Sequence, residues 1–92
     1  MLQNNFIESQ HIWCAVPVFN NKGTVREVVA GCRVILKNVV VVDDGSTDVN
    51  VAGLLSGIDV VVLKHDKNFG KGQAIQTASK YIEEQGGIYM IT

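Results

Sequence analysis

Ninety-two residues leave room for one domain, because a single hydrophobic core usually occupies about 100 to 200 residues. With 47% apolar and 18% charged residues the composition is globular, which sets aside disordered and fibrous classes. Eight Lys and Arg against nine Asp and Glu give a net charge of -1, so no nucleic acid and no anionic membrane surface is expected as a partner.

The first ten residues, Met1 to Gln10, carry neither a basic start nor an apolar run long enough for a signal peptide, and they read as an N-terminal tail. A cytoplasmic location is the default expectation. No stretch approaches the roughly 20 consecutive apolar residues of a membrane span, so any anchor of a longer parent would lie outside this sequence.

From His11 to Val18 a short apolar run closes near Pro17, which lacks a backbone donor and suits a strand end; this is the first expected strand. Asn20 to Gly23 is a polar turn. Thr24 with Glu27 three residues on has capping-box spacing and predicts a helix from Thr24 or Val25. Along that helix Val25, Val28, Val29, Cys32, Ile35 and Leu36 recur on one face, which is expected to pack on a sheet.

Val39 to Val42 and Val60 to Leu63 are β-branched runs of the kind found in strands covered on both faces. Between them Val51, Ala52, Leu54 and Leu55 predict a short helix stopped at Gly57. After Gly72 the residues Ala74, Ile75, Ala78, Tyr81 and Ile82 mark a further amphipathic helix, ended by Gly86 and Gly87. A fourth strand is expected over Ile88 to Ile91. Strands alternating with helices predict an open parallel α/β sheet in three layers, spanning 11–92, with ligands at the carboxyl ends of its strands.

The two cysteines, Cys14 and Cys32, fall in a strand and a helix without metal-ligand spacing and read as reduced core thiols. His11 and His65 flank strands without acidic or cysteine partners at ligand spacing, so packing or surface roles are expected of them.

Three polar clusters stand at the carboxyl ends of three predicted strands, and the fold would gather them on one edge. In Asp43-Asp44-Gly45-Ser46-Thr47-Asp48, a carboxylate could accept hydrogen bonds from a base or ribose; alternatively both aspartates bind turn amides, with Ser46, Thr47 or Asp48 capping the next helix. In Asn68-Phe69-Gly70-Lys71-Gly72, glycines around a lysine before a helix could expose amides and a cation to a phosphate, or form only a turn; the spacing is neither GxxxxGK[ST] nor GxGxxG. In Pro17-Val18-Phe19-Asn20-Asn21, Phe19 could lie against a base and Asn20 could bond to it, although both also serve in ordinary turns.

In this order and at these separations the clusters resemble family 2 glycosyltransferases of the GT-A fold, the group that includes polyprenyl-phosphate sugar transferases. The resemblance runs from about Ile12 to Thr92, and its most specific segment is Val42-Asp43-Asp44-Gly45-Ser46-Thr47-Asp48. It implies a Rossmann-like half-domain with strand order 3-2-1-4. It also implies that Pro17, Phe19 and Asn20 line a nucleotide pocket, that Asp43 or Asp44 contacts the base or ribose of a nucleotide-diphosphate sugar, and that Gly70 and Lys71 lie nearby. In the family the strand matching Ile88 to Thr92 leads into an acidic DxD-type motif that holds a divalent metal, Mg or Mn. This sequence ends at Thr92, so the chain is expected to be an incomplete N-terminal part with no catalytic or metal-binding residue of its own, inactive alone and prone to pair through its last strand.

Two other readings compete. A small module that binds a nucleotide without transferring anything would use the same clusters. A phosphoacceptor receiver domain also has paired aspartates after a strand, but it needs a further aspartate at another strand's end, which this sequence lacks.

Overall fold

The computed structural model describes residues 11–92; the expected tail, 1–10, lies outside the described residues. In chain order the elements are β1 (Ile12–Val18), α1 (Val25–Ile35), β2 (Asn38–Asp43), α2 (Val51–Leu54), β3 (Val61–Lys64), α3 (Lys71–Glu84) and β4 (Tyr89–Ile91). The four strands form one parallel sheet, as the alternation of strands and helices predicts, in the order β3-β2-β1-β4 that the resemblance implies.

The valine run of β2 anchors the fold. Val39 and Val41 point into a cluster with Val25, Val29, Val51 and Leu55, while Val40 and Val42 point into the opposite cluster with Ala15, Ala74, Ala78 and Ile82. A strand buried on both faces needs apolar side chains at every position, which is why alternation is missing here. β3 departs from the expectation. It sits at the sheet's edge and is only half-buried, because it has a neighbour on one side alone among the described residues.

α1 and α2 cover one face and α3 the other. The expected capping box does not form: the Asn21 carbonyl already accepts the Thr24 and Val25 amides, at 3.0 and 3.1 Å, and Thr24 makes no side-chain cap. α1 buries a narrower stripe than its periodicity suggested. Val25 and Val29 are buried and Cys32 and Leu36 pack beside them, but Val28 is 48% exposed and Ile35 82% exposed. The other flank is tied down: Arg26 donates to the Leu54 and Ser56 carbonyls at 2.8 and 3.0 Å, and Arg33 to the Asp59 carbonyl at 2.8 Å. At 100° per residue, Val28 and Ile35 lie on the flank opposite those arginines.

α2 is capped by Asn50, whose side chain accepts the Gly53 amide at 3.3 Å, and not by Ser46, Thr47 or Asp48. α3 meets the sheet through Ala74, Ala78 and Ile82, one residue per turn, and the two alanines let the helix approach closely. Trp13 closes that core at its far end, edge-on to Tyr81 with ring centres 5.8 Å apart. In β4, Met90 packs on the α3 side while Tyr89 and Ile91, on the α1 side, stay about half-exposed.

Cys14 and Cys32 are free thiols. Cys14 is buried and donates to the Cys32 sulfur at 3.4 Å; burial first, and then that bond, push its pKa up to about 11. No helix among the described residues is long and apolar enough to cross a membrane.

The packing sets an expectation for stability. Val41→Ala removes two methyl groups from a fully buried site and should cost about 2 kcal/mol, whereas Val34→Lys, on the outward face of α1, should change stability by less than about 0.5 kcal/mol. Urea unfolding of both variants checks this, and equal losses would contradict the assignment of the core.

Candidate functional site

Parallel pairing places Val18 of β1 opposite Asp43 of β2, and Asp43 opposite Lys64 of β3. Three loops therefore leave the sheet at one level. The Asp44 amide donates to the Val18 carbonyl and the His65 amide to the Asp43 carbonyl, both at 2.8 Å, which carries the ladder one step into the loops.

The first two loops are laced together. Asn20, at a left-handed φ of 54°, accepts the Thr47 amide on its side-chain oxygen at 2.8 Å, and its own amide donates to Ser46 Oγ at 3.0 Å. The Lys22 amide donates to Asp48 Oδ2 at 3.1 Å. Asp43 is buried and folds back on its own turn, with Oδ1 accepting the Ser46 amide at 2.8 Å.

Asp44 joins the second loop to the third. The residue is 3% exposed and its carboxylate has four donors. Oδ1 accepts from His65 Nδ1 at 2.7 Å and from the Phe69 amide at 2.9 Å; Oδ2 accepts from the Gly70 amide at 2.8 Å and from Asn68 Nδ2 at 3.1 Å. The His65 bond, followed by the Phe69 amide, holds this carboxyl below its ordinary value of 3.8, against the upward push of burial. Two glycines make the approach feasible. Gly45, at φ +78°, faces the Lys67 and Asn68 backbone so closely that any side chain would collide with it. Gly70 adopts φ 102° and ψ 159°, a region essentially closed to other residues, as it turns into α3.

These loops enclose a cleft of about 470 Å3 lined by Pro17, Val18, Phe19, Asn21, Asp44, Asn68, Gly70, Lys71 and Ala74. Of the residues expected at a nucleotide pocket, Pro17, Phe19, Asp44, Gly70 and Lys71 border it. Asn20 and Asp43 do not, because both are turned into the loop scaffold. Phe19 is 45% exposed, and Lys71 stands exposed at the start of α3 with no ion pair among the described residues.

Sequence reasoning missed Asn21, Asn68 and His65. Asn68 sits inside a cluster already singled out, but nothing in the sequence told its side chain from a turn residue's. His65 does have a carboxylate partner, contrary to expectation: Asp44 lies 21 positions away and only the β2–β3 pairing brings them together.

A divalent cation does not fit this edge as built. Asp43 and Asp44 are both bonded to protein donors, Asp48 offers one buried oxygen without a partner, and no group of three acidic, histidine or cysteine side chains converges among the described residues. What the cleft presents is an aromatic face, polar amides, a lysine and a helix N-terminus, a set suited to a flat ring joined to an anionic group.

Residues 13–92 match the family described as glycosyl transferase family 2. An uncharacterized protein of Methanocaldococcus jannaschii is 35% identical over 79 residues, which are 85% of this chain and 32% of that relative, so the chain spans about a third of the relative's length. No solved structure gives a significant match.

The Asp44 network predicts an acid-dependent loss. Because the folded pKa is depressed, the stability contributed by the carboxylate is complete above pH 3.8 and is lost as pH falls through the lower folded value. Asp44→Asn places an amide N–H group against backbone donors and should be less stable than wild type at neutral pH, with the gap narrowing below pH 3.8. Denaturant midpoints measured across pH test this; a gap that does not change with pH would contradict it.

Proposed function

Because this chain belongs to glycosyl transferase family 2, we propose that it forms the donor-binding part of an enzyme that moves a sugar from a nucleotide diphosphate to an acceptor hydroxyl. The observation that carries this reading is the convergence of Phe19, Asn68, Gly70 and Lys71 on one cleft at the carboxyl edge of a parallel sheet. The cleft's volume falls within the usual range for small-ligand sites, about 300 to 1,000 Å3.

In the proposed complex the base lies against Phe19, above a floor made by Pro17, Val18 and Ala74. The diphosphate faces Lys71 and the first amides of α3, where the helix dipole and a cation both favour negative charge. Asn21 and Asn68 supply polar contacts at the rim. Asp43 and Asp44 act chiefly by holding the loops, since Asp43 Oδ1 and both Asp44 side-chain oxygens are bonded to protein groups.

The chain's own part in the reaction is thus to bind and orient the donor and to stabilise charge on its phosphates. Among the described residues bordering the cleft, the only carboxylate is Asp44, which is already bonded and unsuited to taking a proton from an acceptor. Transfer by the whole protein therefore calls on groups beyond those that line this cleft, and the family's divalent metal would be held by residues other than these.

Nucleotide titration tests the reading. Uridine and guanosine diphosphates should shift the amide resonances of Phe19 and of Asn68 to Lys71, and Lys71→Ala should weaken binding by roughly threefold to tenfold. The same substitution should hardly affect a nucleoside that lacks phosphates. Absence of binding by any nucleoside diphosphate, or a Lys71→Ala chain with wild-type affinity, would overturn the proposal.

A further inference from the structure

His65 is the residue the proposed function leaves unused, yet it stands in a continuous hydrogen-bonded chain that joins three elements. From the end of β3 its Nδ1 meets Asp44 Oδ1 at 2.7 Å, and its Nε2 meets Thr77 Oγ1 of α3 at 2.8 Å. The His65 and Asp44 side chains are 12% and 4% exposed. An ionised carboxylate can only accept, so Nδ1 carries a proton and donates; in the neutral ring Nε2 then accepts the Thr77 hydroxyl proton.

We infer that His65, steadied by Thr77, is a positioning residue of the cleft: it fixes the Asp44 carboxylate, which fixes the Phe69 and Gly70 amides and so sets the loop that a nucleotide meets. This rests on the reading of the cleft as a nucleotide site.

The geometry supports the order of that chain. A carboxylate rotates about its last torsion with a broad preference, so each further donor narrows its orientation. Oδ1 is shared by the imidazole and the Phe69 amide, and this leaves Oδ2 aimed at Gly70. The ring also touches the loop directly, edge-on to Phe69 with centres 5.4 Å apart. Lys67 Nζ also lies over the Phe69 ring, 5.3 Å from its centre. Gly70, a residue type with the widest choice of backbone conformations, occupies an uncommon one, so the bond from its amide to Asp44 Oδ2 bears directly on the loop's shape. The depressed pKa of Asp44 has the His65 bond as its largest cause, consistent with an imidazole that governs this carboxylate.

A network that only stabilised the fold would loosen everything together, and a network that positions the loop would act there first. Thr77→Val keeps the side-chain shape and removes the partner of Nε2; Thr77→Ser restores a hydroxyl; His65→Gln removes the ring. The probe is uridine or guanosine diphosphate, whichever binds wild type more tightly, with amide hydrogen exchange followed in parallel. Thr77→Val and His65→Gln should weaken binding by roughly threefold to tenfold and speed exchange at Phe69 and Gly70 while leaving Val39 to Val42 protected, and Thr77→Ser should return both toward wild type. Unchanged affinity, or faster exchange spread equally over Val39 to Val42, would overturn the inference. Should wild type bind neither nucleotide, the reading of the cleft fails separately and exchange alone decides: an increase confined to Phe69 and Gly70 upholds positioning, and no increase overturns it.

Discussion

A carboxylate taken out of water loses several kcal/mol of solvation, and it stays charged only where enough donors replace the water. Asp44 meets that condition with an imidazole, a side-chain amide and two backbone amides, and meeting it dictates much of the structure around the cleft. Gly45 must lack a side chain so that the Lys67 and Asn68 backbone can come near. The third loop must turn back at Gly70 so that two successive amides converge on one side chain. The cleft is the space left beside this construction, walled by the loop that Asp44 holds.

The parallel sheet supplies what Asp44 needs. Its register brings the ends of β1, β2 and β3 to one level, and the two-sided valine core of β2 fixes the strand from which Asp43 and Asp44 emerge. Asp43 then turns inward to Ser46 while Asp44 reaches across to the third loop, so adjacent carboxylates do different work. Asn20 ties the first loop to the second through Thr47, and α3 begins where the third loop ends. Core packing, loop lacing and the placement of Lys71 follow from one another.

The fold was largely legible because its signals are local. Unbroken valines announced β2, and alternation of strands with helical faces announced a parallel sheet; the order of strands came from family resemblance. What failed depended on neighbours the sequence does not identify. The valines of Val60 to Leu63 could not show that β3 is an edge, and the apolar spacing of α1 could not show that Val28 and Ile35 would stay exposed while two arginines bond along the other flank. At the site, residue types pointed to the carboxyl edge of the sheet, where Phe19, Gly70 and Lys71 border one cleft. Their hydrogen-bond partners were not readable, because Asn20, Asp44 and His65 are satisfied by groups 12 to 27 positions away.

The central claim is that Asp44 builds the cleft and that Phe19 and Lys71 occupy its binding wall. A crystal structure of the chain with a bound nucleoside diphosphate tests it most directly. It should show the base against Phe19, the phosphates beside Lys71 and the start of α3, and Asp44 still bonded to the Phe69 and Gly70 amides. A nucleotide bound elsewhere, or Asp44 released from those amides to bind the ligand in their place, would contradict it.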